Sequence, residues 1–143
     1  MIVREVERVL RNLLIVDDNP ADVRYTEEML KEAGVESDRH VVKDGVEALR
    51  FLRQRGEYAD APRPDLVLLD WHLPRKNGRK VLAELRADGR LADVSVVVMT
   101  GSRLEVESLR TESGGADTYA VKPLEADELR QFAERLGGAR RLA

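Results

Sequence analysis

The strongest constraint on the fold is an alternation of short aliphatic runs with segments of helical period. Residues 13–16, 66–69 and 94–99 are rich in aliphatic side chains, and polar residues or proline bound each run. Short, nearly continuous apolar runs suit strands covered on both faces, as in a parallel sheet. Residues 39–42 and 118–121 are weaker, with the shortness and flanking charge of sheet edges. Between the runs lie five helical patterns. Residues 20–33 carry Val23, Met29 and Leu30, with Asn19 to cap the start, Pro20 in the first turn and Gly34 as a stop. Residues 46–55 place Val46, Leu49, Phe51 and Leu52 on one face, and 78–87 place Val81, Leu82 and Leu85. Residues 104–112 read as a weak, polar helix, and 126–136 as one with Leu129, Phe132, Ala133 and Leu136 together.

Five βα units in succession predict an α/β fold with right-handed crossovers. The expectation is a flavodoxin-like doubly wound five-stranded parallel sheet, strand order 2-1-3-4-5. Such a sheet gathers function at the carboxyl ends of its strands. With 143 residues, one domain is the default, and it is large enough to bury a core unaided.

Charge and composition exclude several classes. The formal net charge of −3 speaks against nucleic acid as the main partner. No cysteine is present, which removes disulfides and thiolate metal sites and agrees with a cytoplasmic address. Charges interrupt the first ten residues, so a signal-peptide core is missing, and no apolar run approaches the ~20 residues of a membrane span.

The predicted strand ends carry the chemistry. Strand 1 ends in Asp17-Asp18, strand 3 in Asp70, strand 4 in Thr100 and strand 5 in Lys122-Pro123. Three carboxylates in one crevice repel each other by about 4 kcal/mol per pair at 4 Å and an effective dielectric of 20, so one is protonated or a cation binds. Oxygen ligands without a His or Cys cluster favour Mg²⁺, an ion suited to phosphoryl chemistry. Asp70, on the central strand, is the best candidate for a carboxylate nucleophile. Lys122 offers a point charge and Thr100 a hydroxyl to phosphoryl oxygens. Each feature alone has a plain reading, as a helix cap, a turn or a loop. Their coincidence at successive strand ends is what points to a site.

The motifs Leu14-Ile15-Val16-Asp17-Asp18-Asn19, Leu66-Val67-Leu68-Leu69-Asp70, Leu73-Pro74, Val97-Val98-Met99-Thr100 and Tyr119-Ala120-Val121-Lys122-Pro123 resemble the receiver domain of two-component response regulators. The resemblance implies a receiver over 11–137, with 1–10 as an N-terminal extension and 138–143 as a solvated C-terminal tail. It implies phosphorylation of Asp70 by a sensor histidine kinase. Asp18 and Asp70 would ligate Mg²⁺ directly, Asp17 through water and His72 through its backbone carbonyl. Lys122 would contact the phosphoryl group, Thr100 and Tyr119 would form the switch pair, and the Lys122–Pro123 bond would be cis. Asp22-Val23-Arg24, Asp44-Gly45-Val46-Glu47-Ala48-Leu49 and Asn77-Gly78-Arg79-Lys80 are similar to the small response regulators paired with bacterial phytochromes.

His72 also reads as a loop residue with no role beyond its backbone, and Trp71 as a packing residue. Only a few residues follow the fifth helix, so output is expected from a downstream protein or a phosphorelay partner. A homodimer through the fourth helix, fifth strand and fifth helix is left open, because Ser113-Gly114-Gly115 replaces bulkier residues there. The chain is not expected to turn over a substrate beyond its own phosphorylation and dephosphorylation. The rivals are a receiver-shaped interaction scaffold that is never phosphorylated, an aspartyl phosphohydrolase and a flavin-binding protein. The phosphohydrolase usually needs an Asp where His72 stands, and the flavin protein needs a Ser/Thr/Gly phosphate cradle that Asp17-Asp18-Asn19-Pro20 does not supply.

Overall fold

The computed structural model describes residues 6–112 and 114–141; Ser113 and the outer parts of the expected extension and tail (1–5 and 142–143) lie outside the described residues. In chain order the elements are β1 (Val6–Val9), β2 (Asn12–Val16), α1 (Pro20–Glu32), β3 (Asp38–Val42), α2 (Gly45–Leu52), β4 (Leu66–Asp70), α3 (Gly78–Ala87), β5 (Ser95–Thr100), α4 (Arg103–Thr111), β6 (Thr118–Val121), α5 (Ala126–Leu136) and β7 (Gly138–Arg141). A short 3-10 turn, Gly56–Tyr58, follows α2.

Five strands form one parallel sheet in the order β3-β2-β4-β5-β6. Counted from β2, this is the expected 2-1-3-4-5. The aliphatic runs make its centre because alternate residues are buried on opposite faces. Leu14, Val16, Val67, Leu69, Val96 and Val98 pack beneath α2, α3 and α4, against Leu49, Val81, Leu85, Val106 and Leu109. Leu13, Ile15, Leu66, Leu68, Val97 and Met99 pack on the other face beneath α1 and α5, against Leu30, Leu129 and Phe132. Neither face of a central strand is solvated, which is why its pattern is continuous and not alternating.

Local signals set the helix starts. Asn19 accepts from the amides of Ala21 and Asp22 at the start of α1, and Asp44 from the Glu47 amide at the start of α2. Asn77 caps α3 through the Lys80 amide. The α2 helix is shorter than the 46–55 expected from its apolar face: it ends at Leu52, and Gln54 takes a left-handed backbone (φ 55°) that a helix cannot continue.

The two chain ends pair with each other. The segment 138–143, read as a solvated tail, contains a strand, and so does 1–10. β1 and β7 pair antiparallel in a second sheet, with Val9 opposite Gly138 and Val6 opposite Arg141. Neither strand has an apolar run to announce it; each supplies the other's backbone partners. No helix among the described residues is long and apolar enough to cross a membrane.

Candidate functional site

Parallel topology brings the ends of β2, β4, β5 and β6 to one edge. The alternation of each strand then selects the side on which the next residue emerges. Asp17, Asp70 and Lys122 continue the series Leu13–Ile15, Leu66–Leu68 and Ala120, so they emerge on the side of α1 and α5. Thr100 continues the series Val96–Val98 and emerges on the side of α4.

Each buried acid is anchored by one oxygen. Asp17 Oδ1 accepts from the Asn19 amide at 3.0 Å, and Asp70 Oδ1 from the His72 amide at 3.0 Å. The other oxygens converge on Lys122, whose ammonium lies 2.8 Å from Asp17 Oδ2, 3.1 Å from Asp70 Oδ2 and 2.9 Å from Asp22 Oδ2. The contact with Asp17 has ion-pair distance without hydrogen-bond geometry, so that buried oxygen is left without a directed donor. Asp18 is exposed beside them, and one oxygen from each of Asp17, Asp18 and Asp70 lies within 4.8 Å of the others. The Lys122–Pro123 bond is cis, as the resemblance implied.

Burial pushes the Asp70 carboxyl above its ordinary range. The His72 amide and the Lys122 charge pull the other way but do not cancel it, and Asp17 adds to the rise. Burial also works against the Lys122 charge, but close contacts with Asp17 and Asp22 and the Asp70 charge outweigh it and hold the ammonium above its usual value. One cation thus faces four carboxylates, Asp22 included. The remaining negative charge, the all-oxygen donor set and the underused Asp17 oxygen fit a hard divalent cation.

Thr100 does not face this crevice. Its hydroxyl donates to Glu105 Oε1, on the first turn of α4, and accepts from the Ser102 amide at 3.3 Å. The His72 imidazole joins the same oxygen, with Nε2 2.7 Å from Glu105 Oε1. Burial acts against the Glu105 charge, yet the Thr100 and His72 hydrogen bonds prevail and hold its carboxyl below the ordinary range. Tyr119 stands apart from both groups. Its ring is already buried beneath α4, and its hydroxyl accepts from the Ala116 amide at 3.4 Å. A Cβ on Gly114 would overlap that hydroxyl, so this glycine makes the recess. Trp71 packs in the core, with the Arg79 guanidinium 5.1 Å from its ring centre.

The structure therefore joins Asp17, Asp18, Asp70 and Lys122 directly, joins Thr100 and His72 through Glu105, and leaves Tyr119 separate. The sequence alone does not single out Asp22 or Glu105. Asp22 is visible there as a first-turn acid of a helix and as part of the Asp22-Val23-Arg24 resemblance, with no role at the site. Glu105 is visible as the last residue of Ser102-Arg103-Leu104-Glu105, a helix-start pattern that begins two residues after Thr100.

A family model described as the response regulator receiver domain matches residues 13–134. The chain belongs to this family. Receivers bind a divalent metal at an acidic pocket, and in this chain Asp17, Asp18 and Asp70 are close enough together to hold one. Among relatives, the response regulator Rcp1 of Synechocystis sp. is 39% identical over 110 residues, covering 77% of this chain and 75% of its own. Its Mn²⁺-bound crystal structure superposes with a TM-score of 0.72 at 35% identity, over 87% of this chain and 89% of that one. The bacteriophytochrome response regulator AtBRR gives a TM-score of 0.81 at 34% identity, covering 89% of this receiver and 92% of AtBRR. The phosphorylated cyanobacterial phytochrome response regulator RcpA gives 0.73 at 39% identity, covering 88% and 90%.

Proposed function

We propose that this receiver accepts a phosphoryl group on Asp70 from the phosphohistidine of a sensor histidine kinase of phytochrome type and signals by protein–protein contact. The convergence of Asp17, Asp18, Asp70 and Lys122 at one sheet edge carries this reading. An Asp70 oxygen attacks phosphorus, the P–N bond breaks, and the donor imidazole leaves with the bonding electron pair. Asp17, Asp18, Asp70 and the His72 carbonyl would hold Mg²⁺, which supplies positive charge against the phosphoryl oxygens. Lys122 orients one oxygen of the product and Thr100 donates to another.

Thr100 and Tyr119 are the switch pair of this proposal. Because the Tyr119 ring is already buried, its response is a repacking beneath α4, whose Val106 and Leu109 share its cluster, and not an entry from solvent. Reversing a two-state population needs roughly 5.5 kcal/mol of differential stabilisation. Two or three charge-assisted hydrogen bonds at ~1.5–3 kcal/mol each are enough. The output belongs to the α4, β6 and α5 face, towards a downstream protein, a phosphorelay partner or a second copy, in the cytosol.

Incubation with acetyl phosphate and Mg²⁺ tests the proposal. The parent is expected to gain one phosphoryl group, and a chelator or Asp70→Asn to abolish the gain. Equal labelling of parent and variant would refute it.

A further inference from the structure

We propose that Glu105 is a positioning residue that withholds the Thr100 hydroxyl proton from the phosphoryl site until phosphorylation displaces it. The inference rests on the receiver reading above and adds a regulatory residue to it.

A threonine hydroxyl has one proton. Here it is directed at Glu105 Oε1, and the Ser102 amide fills an acceptor position on the same hydroxyl. A carboxylate accepts and does not donate, so the direction of the Thr100–Glu105 bond is fixed: the proton sits on the α4 side of Thr100. To donate to a phosphoryl oxygen on Asp70, Thr100 has to break this bond. Glu105 is itself restrained, by its amide donating to Ser102 Oγ at 3.1 Å and by His72 Nε2 at 2.7 Å.

The local sequence provides a second arrangement. Ser102-Arg103-Leu104-Glu105 has the spacing of a capping box, in which the glutamate side chain returns to the amide of the capping serine. Half of that box is formed, since Ser102 Oγ accepts from the Glu105 amide. The other half is interrupted: the Ser102 amide donates to Thr100 Oγ1, and Glu105 takes the Thr100 proton. Thr100 is inserted into the box. When the phosphoryl group draws Thr100 away, Glu105 closes on the freed Ser102 amide. Both groups released by the exchange thus have a new partner in each other, and the start of α4 has two satisfied arrangements.

The chain's single tryptophan, Trp71, directly follows Asp70 and provides a fluorescence probe. Beryllofluoride affinity would be measured with Mg²⁺ for the parent, Glu105→Gln, Glu105→Ala, Thr100→Val and the double variant Glu105→Gln/Thr100→Val. The expected result is about tenfold tighter binding for Glu105→Ala, a coupling of ordinary size between two sites, and a smaller gain for Glu105→Gln, whose amide oxygen still accepts from Thr100 but more weakly than a carboxylate. No effect of Glu105→Gln is expected once Thr100 is valine. Unchanged affinity in both Glu105 variants would overturn the proposal. So would equal tightening with and without the Thr100 hydroxyl, which would mean only the loss of a nearby negative charge. A parent that binds no beryllofluoride would instead refute the receiver reading on which the inference rests.

Discussion

Lys122 is the residue on which the charge balance of the acidic site depends. Its ammonium touches Asp17, Asp22 and Asp70 at once, and Asp17 and Asp70 are buried. Removing the charge leaves buried carboxylates without a counter-ion, a situation more costly than never having formed the pair. Lys122→Met is therefore expected to lower stability in chelator by about 1–3 kcal/mol, the cost of unsatisfied buried polar groups. Mg²⁺ is expected to restore part of the loss, because a divalent ion replaces the missing charge and stabilises by binding only the folded state. Thermal melts with EDTA and with Mg²⁺ check this; equal melting of parent and variant in EDTA would contradict it. The acids and the lysine were legible because each ends a recognisable strand. Asp22 and Glu105 were not, because both lie in first helical turns, where an acid is expected whatever the site requires.

Among the elements, α3 shows how closely a helix is set against the site. The Gly78 amide donates to the Trp71 carbonyl at 3.0 Å, and a Cβ at Gly78 would fall 2.7 Å from both the Asp70 carbonyl oxygen and Trp71 Cα. These are backbone atoms that cannot rotate aside. Gly78→Ala is expected to push α3 from the end of β4, costing about 1–3 kcal/mol as overpacking does. It should weaken Mg²⁺ binding at the same time; a titration of Trp71 fluorescence measures this, and unchanged affinity would contradict the tight setting. The extents of α3 and α5 were legible from apolar period and helix-start signals. The early end of α2 was not, because the left-handed turn at Gln54 has no mark in a residue type that rarely adopts it. The inward seat of Tyr119 was equally hidden, since it depends on the recess left by Gly114 in the loop that leads into β6.

For the whole molecule, the parallel sheet explains why one edge carries the chemistry. Two apolar layers cover the sheet, and the polar residues that end β2, β4, β5 and β6 have only the carboxyl edge left to them. That arrangement was legible because burial on both faces leaves a continuous aliphatic run in the sequence. The β1–β7 ribbon was not legible, because its strands are short, carry no apolar run and pair with each other and not with the main sheet. The central claim is that this edge makes Asp70 the phosphoryl acceptor. The most direct measurement is to treat the chain with acetyl phosphate and Mg²⁺, reduce the acyl phosphate with borohydride and map the peptides by mass spectrometry. Reduction of an aspartyl phosphate leaves homoserine, and the account predicts it at position 70 and nowhere else. Homoserine at another aspartate, or the same products from Asp70→Asn, would contradict it.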